Sequence, residues 1–252
     1  WIHGKHMHVP YYDESNMNAS IADASAKLTD IMINLLPVKE NDIVGDMGCG
    51  FGVPAIELAK RKKCNVWGVT ASNYQKEEAE KSAKVENVAH LTHFTVDDAT
   101  KSSFKDEQFN AIMFFESIFH MGHEEAIKEA RRILKPGGYI LIADFIALPS
   151  FNEEVKDYLF NVFQAKSIKT FEEYPGFLEK NGFQEVEVRN VTQNTIKQRK
   201  ARYIEAFDKY KDEIVKTGGS LEFYDKMKSF WLKTNEIFDQ HVGYALATGK
   251  KK

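Results

Sequence analysis

The chain has few cysteines: only Cys49 and Cys64 in 252 residues, with no C-x-x-C pair. That excludes a disulfide framework and argues against a structural zinc site, and a reducing, cytoplasmic compartment fits. It also lacks a hydrophobic run of membrane length. The longest, "YILIADFIAL" over 139–148, is about half of the ~20 residues a span needs and carries Asp144. No secretory or transit signature is visible, although the chain begins at Trp1, which leaves room for a removed targeting segment upstream. An excess of basic residues is missing too. Lys and Arg number 34 against 37 Asp and Glu, a net charge of −3, so neither nucleic acid nor an anionic membrane is called for as a partner. The short basic runs at 60–63 and 197–200 read as solvated helix ends. No repeat and no low-complexity segment occurs. What remains, 43% hydrophobic and 28% charged, is an ordinary globular composition, long enough to bury a large core.

Periodicity gives the organisation. Ile21, Leu28, Ile31, Met32 and Leu35 share one helical face, and Pro37 ends that helix. "DIVGDMG" (42–48), "NVWGVT" (65–70), "LTHFTV" (91–96), "FNAIMFFE" (109–116) and "YILIADF" (139–145) read as strands, the first three separated by helices at 53–61 and 73–86 and the last two by one at 123–134. This alternation predicts an α/β, Rossmann-like, doubly wound and mostly parallel seven-stranded sheet with helices on both faces. Residues 151–165 and 171–181 read as helical, 183–191 as a half-exposed strand, and 241–250 as the closing strand. Two long helical stretches, 193–217 and 220–240, broken by "TGGS", are extra to a minimal sheet and predict a helical lid inserted before the last strand.

"GDMGCGFG" sets Gly48, Gly50 and Gly52 between a strand and a helix. Glycines there let backbone N–H groups approach a ligand at the positive end of the following helix, and the carboxyl ends of parallel strands are where such sheets bind ligands. The dinucleotide pattern can be laid on Gly50, Gly52 and Ala55, which keeps an NAD(P) oxidoreductase as an alternative. The second strand, however, ends "GVTAS", without the acid that pattern expects, and no G-K-[ST] follows the glycines. Asp46 stands where a carboxylate can hold an amino group. Asp97 and Asp98 follow the third strand, where an acid can accept from an adenine amine.

These residues resemble the class I S-adenosylmethionine (SAM) dependent methyltransferases, whose first motif D-x-G-C-G-x-G stands intact as Asp46 to Gly52. "GVTASNYQ" (68–75) resembles the second-strand motif shared by γ-tocopherol methyltransferases and sugar O-methyltransferases of natural-product pathways. The opening "WIHGKHMHVPYY" (1–12) resembles the lead of tocopherol and glycine/sarcosine-type N-methyltransferases, with Pro10 in place of a glycine. The resemblance implies a cofactor site of Asp46, Gly48, Cys49, Gly50, Gly52, Thr70, Ser72, Gln75, Asp97, Asp98, Ala99 and Glu116, with Ser72 and Gln75 near the ribose. SAM is then the cofactor, S-adenosylhomocysteine (SAH) its product, and no metal is needed.

The resemblance divides the chain into a covering segment (1–20), a SAM-binding core (21–150), helices and a sixth strand (151–192), a lid (193–240) and a final strand (241–252). The partner is a small-molecule acceptor, and a homodimer is compatible with the sequence. "ESIFHM" (116–121) stands where sugar O-methyltransferases carry E-S-L-H-H-M, whose first histidine is the base. Phe119 occupies that position here, and His120 matches the second histidine. His120 and Asp144 are therefore the expected catalytic pair, and His6, His8, Tyr11, Tyr12 and Phe119 the expected substrate wall. His3, His6 and His8 alternate as on one face of a strand, but no cysteine or carboxylate set completes a metal site. The pairing of His120 with His123 reads as accidental, with His123 and Glu124 opening a helix. The expected activity is methyl transfer to a nitrogen or oxygen nucleophile. Carbon methylation and a non-methylating SAM-binding cyclase of the same fold stand as alternatives.

Overall fold

Ser20 opens the first helix, α1 (Ile21–Leu35), its hydroxyl accepting from the Asp23 N–H. Leu36, forced extended by Pro37, closes it. The computed structural model describes residues 4–252, so His3 lies outside the described residues. Strand and helix then alternate: β1 (Ile43–Met47), α2 (Val53–Lys62), β2 (Asn65–Thr70), α3 (Asn73–Val85), β3 (Thr92–Val96) and β4 (Phe109–Phe115). A single turn, α4 (Ile118–Met121), leads into α5 (His123–Ile133), β5 (Leu134–Ala147) and α6 (Glu153–Phe163). After these come β6 (Lys169–Thr170), α7 (Glu173–Lys180), β7 (Phe183–Asn190), α8 (Ile196–Lys209), α9 (Lys211–Gly218), α10 (Leu221–His241) and β8 (Val242–Lys251).

The main path of the sheet is the expected seven strands, in the order β3-β2-β1-β4-β5-β8-β7, with the two-residue β6 hung on β5. The strands from β3 to β5 pair in parallel, and β8 runs antiparallel to both β5 and β7. Two points depart from the sequence pattern. The stretch read as one helix over 193–217 is broken at Tyr210 into α8 and α9. β5 starts at Leu134, before "KPGG", and its register against β4 shifts between Phe109 and Ala111 to absorb the glycines.

Alternate residues of a strand face opposite sides, so the sheet carries two cores. One holds Leu28 and Met32 of α1, Ile56 and Leu58 of α2, and the inward side chains Phe115 and Phe145. The other holds Ala126, Ile127 and Ala130 of α5, Tyr174 and Leu178 of α7, and Phe114 and Ile142. The added helices have a third core of their own, in which Tyr203, Phe207, Ile214 and Tyr224 close on Ile21 of α1.

Strand order reverses between β1 and β4, and the loops after these two strands meet there. Gly48 lies at φ +92°, and a Cβ on it would overlap the Ser117 side chain, whose hydroxyl donates to the Met47 carbonyl at 2.6 Å. Replacing Gly48 with Ala is expected to cost about 1–2 kcal/mol for the backbone and about 1–3 kcal/mol for the overlap, read as a lowered melting temperature.

Candidate active site

At this switch point the carboxyl ends of β1 to β5 border one cavity of about 900 Å³. Gly48, Cys49 and Gly50 line it from the first loop, Thr70 and Gln75 from the second, and Asp97, Asp98 and Ala99 from the third. Phe119 and His120 border the same space, as do Phe145, Arg199, Trp231 and Phe238. The glycine loop is drawn against β2, with the N–H groups of Gly48 and Cys49 both donating to the Val69 carbonyl (2.9 and 2.8 Å).

Asp46 is the penultimate residue of β1 and lies beneath this loop, behind the residues that line the cavity. It is buried, and neither carboxylate oxygen has a hydrogen-bond partner, so burial pushes its pKa up to about 7. A buried carboxylate without partners marks a place for a ligand's donor. Ser72 serves the fold instead. Its hydroxyl accepts from the Gln75 N–H and caps α3, outside the cavity wall. Gln75 gives its carboxamide oxygen to the Thr70 hydroxyl at 2.6 Å, which leaves its N–H groups for the cavity. Asp97 and Asp98 are kept ionised by their own loop. For Asp97 burial acts upward, but donation from Ser103 and the Asp98 N–H wins and lowers its pKa. For Asp98 the Thr100 hydroxyl and N–H do the same.

Glu116 follows β4 at φ +49°. Its Oε1 accepts from the Val9 N–H (2.8 Å) and the Tyr244 hydroxyl (2.9 Å), and burial raises its pKa to about 7. The carboxylate thereby fastens the N-terminal segment across the cavity mouth. His8, held by Thr29 Oγ1 at 2.9 Å, stacks on Phe115 with ring centroids 4.1 Å apart and lines the cavity. His6 packs against His8 (3.1 Å between ring nitrogens) but does not line it.

The remaining expected residues separate. His120 lies on the cavity wall, its ring against Phe119 with centroids 3.9 Å apart. Desolvation lowers its pKa, partly offset by the backbone carbonyls of Gln164 and Phe163. The lowered pKa favours the neutral imidazole, the form that can accept a proton. Asp144, its expected partner, is turned away. It precedes Phe145 on β5 and so points to the opposite face. There Oδ2 meets His123 Nε2 (3.0 Å) and accepts from the Tyr174 hydroxyl (2.8 Å), both buried. His123 Nδ1 in turn meets Ser167 Oγ at 2.6 Å. His123 does open α5, as its position suggests, but its side chain belongs to this core network. Tyr12 is also not a cavity residue. It is buried under the Arg202 guanidinium, 3.8 Å from its ring centroid, and its pKa rises to about 12 chiefly through burial. Tyr11 packs beside the first core. Among the described residues no cluster of three or more His, Cys, Asp or Glu side chains is placed to hold a metal.

Sequence reasoning missed Arg199, Tyr203 and Trp231 on the cavity wall. The run 197–200 reads as solvated, yet Arg199 is only 4% exposed. The signal lay in the spacing: Ile196, Arg199, Tyr203 and Phe207 recur every three or four residues, which puts Arg199 on the apolar face of α8.

Comparison with known proteins agrees with the geometry. Residues 45–142 match the family model described as "Methyltransferase domain". Over its whole length the chain is 28% identical to (+)-O-methylkolavelool synthase of Herpetosiphon aurantiacus, covering 88% of that protein. It is also 28% identical to 27-O-demethylrifamycin SV methyltransferase of Amycolatopsis mediterranei, over 98% of this chain and 90% of that one. Among solved structures the [4+2]-cyclase SpnF superposes with a TM-score of 0.78 at 23% identity, covering 98% of this chain and 88% of that one. With a methyltransferase domain over residues 45–142 and methyltransferases among its full-length relatives, the chain is a SAM-dependent methyltransferase. It acts on a small molecule, and no helix among the described residues is long and apolar enough to cross a membrane.

The network around Asp144 separates a structural from a catalytic role. Tyr174→Phe removes one buried donor from that carboxylate and is expected to cost about 1–3 kcal/mol in urea unfolding, with SAH affinity and turnover at low temperature unchanged.

Proposed function

We propose that the chain transfers the methyl group of SAM to a hydroxyl of a small-molecule acceptor held under α8 and α10, with His120 as the base. The continuity of the cavity carries this reading: glycine loop and aromatic chamber are one space, and His120 borders it. The names of the two full-length relatives refer to O-methyl chemistry, which favours oxygen over nitrogen. The likeness to a cyclase, together with Phe119 in the expected base position, supports a non-methylating cyclisation as the second reading, and analysis of the product decides between them.

The residues present fit the cofactor, through the unpartnered carboxylate of Asp46 and the crowded glycine cradle at Gly48. SAM, when bound, supplies an electrophilic methyl on a sulfonium. Asp46 would hold its amino group, Thr70 and Gln75 its ribose, and Asp98 and Ala99 its adenine. Phe115 and Phe119 present aromatic faces that suit a sulfonium. His120 takes the hydroxyl proton on its imidazole as the oxygen attacks. The N-terminal segment, fastened by Glu116, and the three added helices exclude water. Holding the reactants in line can contribute about 7–11 kcal/mol.

Two outcomes test this reading. In calorimetry with SAH at pH 6, below the pKa of about 7 of free Asp46 and above the ordinary carboxyl value of 3.8, binding is expected to release about one proton. The ligand's ammonium favours the ionised carboxylate, so its folded pKa falls on binding. Comparing buffers of different ionisation enthalpy measures the release, and Asp46→Asn should abolish it and weaken binding. His120→Ala is expected to lower kcat about 10²–10⁴-fold with SAH affinity nearly intact. Because the pKa of His120 is depressed below 6.5, the acidic limb of wild-type kcat should lie below pH 6.5. An acidic limb unmoved in the variant that retains residual activity would sink the assignment of His120.

A further inference from the structure

Arg199 is out of keeping with its surroundings. Its guanidinium is buried in the acceptor chamber, 4.8 Å from the Phe238 ring centroid and 5.2 Å from that of Tyr203. Nε and Nη1 have no hydrogen-bond partner. The Tyr203 hydroxyl engages the remainder of the group. Glu116 lies within its electrostatic reach, but Oε1 of that carboxylate is occupied by Val9 and Tyr244, and burial keeps its pKa near 7. A guanidinium carries a fixed charge, and burying two of its N–H donors without acceptors is costly. Aromatic faces offset only part of that cost. Of its neighbours in the same run, Lys197 pairs with Asp239 at the rim and Lys200 is exposed, so the run 197–200 commits one of its three cations to the interior.

Resting on the methyltransferase reading above, we propose that Arg199 anchors an oxyanion of the acceptor, so that the acceptor is an apolar molecule carrying a carboxylate or a chemically similar group. The walls of the chamber, Phe145, Phe163, Trp231 and Phe238, take its apolar body. The free N–H groups of Arg199 take its charge through charge-assisted hydrogen bonds. Specificity follows from the same asymmetry: an uncharged analogue leaves the guanidinium unpaired. The one other source of such an oxyanion is the carboxylate of the cofactor's own methionine moiety, and the two sources separate by experiment.

The probes are the straight-chain carboxylates from hexanoate to dodecanoate and the alkanols of equal length, titrated into SAH-loaded protein by calorimetry and thermal shift. The proposal expects at least one carboxylate to bind roughly tenfold or more tighter than its alkanol. That preference should vanish in Arg199→Met and persist in part in Arg199→Lys, while SAH affinity stays equal in all three. Arg199→Gln replaces the methionine variant should the latter fail to fold. Absence of any carboxylate preference in the wild type, or its survival in Arg199→Met, overturns the proposal. A fall in SAH affinity in Arg199→Met also overturns it and assigns the guanidinium to the cofactor. Failure of wild-type protein to bind SAH would instead remove the methyltransferase reading, and the same carboxylate comparison on ligand-free protein would still judge Arg199.

Discussion

The site depends on one carboxylate at the topological switch point. Glu116 follows β4 in a left-handed conformation that only a surrounding structure can enforce on a residue with a Cβ. Through a single oxygen it accepts from Val9, 107 residues earlier, and from Tyr244, 128 residues later. The N-terminal segment, the fourth strand and the last strand are thereby brought to one point at the mouth of the cavity. Burial raises the pKa of that carboxyl to about 7, so its charge changes around neutral pH.

The two faces of β5 show how the same strand serves fold and function. Phe145 turns into the cavity and meets Phe119, Phe238 and Tyr244 edge to face. Asp144, one residue earlier, turns the other way and joins β5 to α5 and α7 through His123 and Tyr174. The network rigidifies the strand from behind while the aromatic side chain shapes the chamber in front. A role assigned to Asp144 by motif position alone misses this, because the two-residue period of a strand decides which side of the sheet a side chain reaches.

The added helices are held by contacts independent of the main sheet. Their own apolar cluster packs α8, α9 and α10 together, and the backbone of Tyr12 exchanges hydrogen bonds with Asn194 just before α8. Arg202, one residue before Tyr203, covers the Tyr12 ring. N-terminal segment and lid are thus joined to each other as well as to the core, so the two covers of the cavity are mechanically coupled. Beneath these helices lies an apolar chamber with one buried cation, Arg199.

Most of the fold was legible in the sequence, because local signals agree along the first 150 residues: strands of near-continuous apolar residues, amphipathic helices between them, and glycines where the chain must turn. That the glycine loop and the acidic pair after β3 border the cavity was legible for the same reason, since each lies directly after a strand of the parallel sheet. The break at Tyr210 was not, because no glycine or proline marks it, and α8 and α9 each pack against α10. Local sequence pattern suffices for the class of sheet and for the loops at the carboxyl ends of its strands. Tertiary structure alone decided that Asp144 and His123 serve the core, that Tyr12 is a buried tie rather than a substrate wall, and that Arg199 of an apparently solvated basic run points inward. Each of these turns on which side a side chain faces when distant segments meet, and no local spacing carries that information across more than a hundred residues.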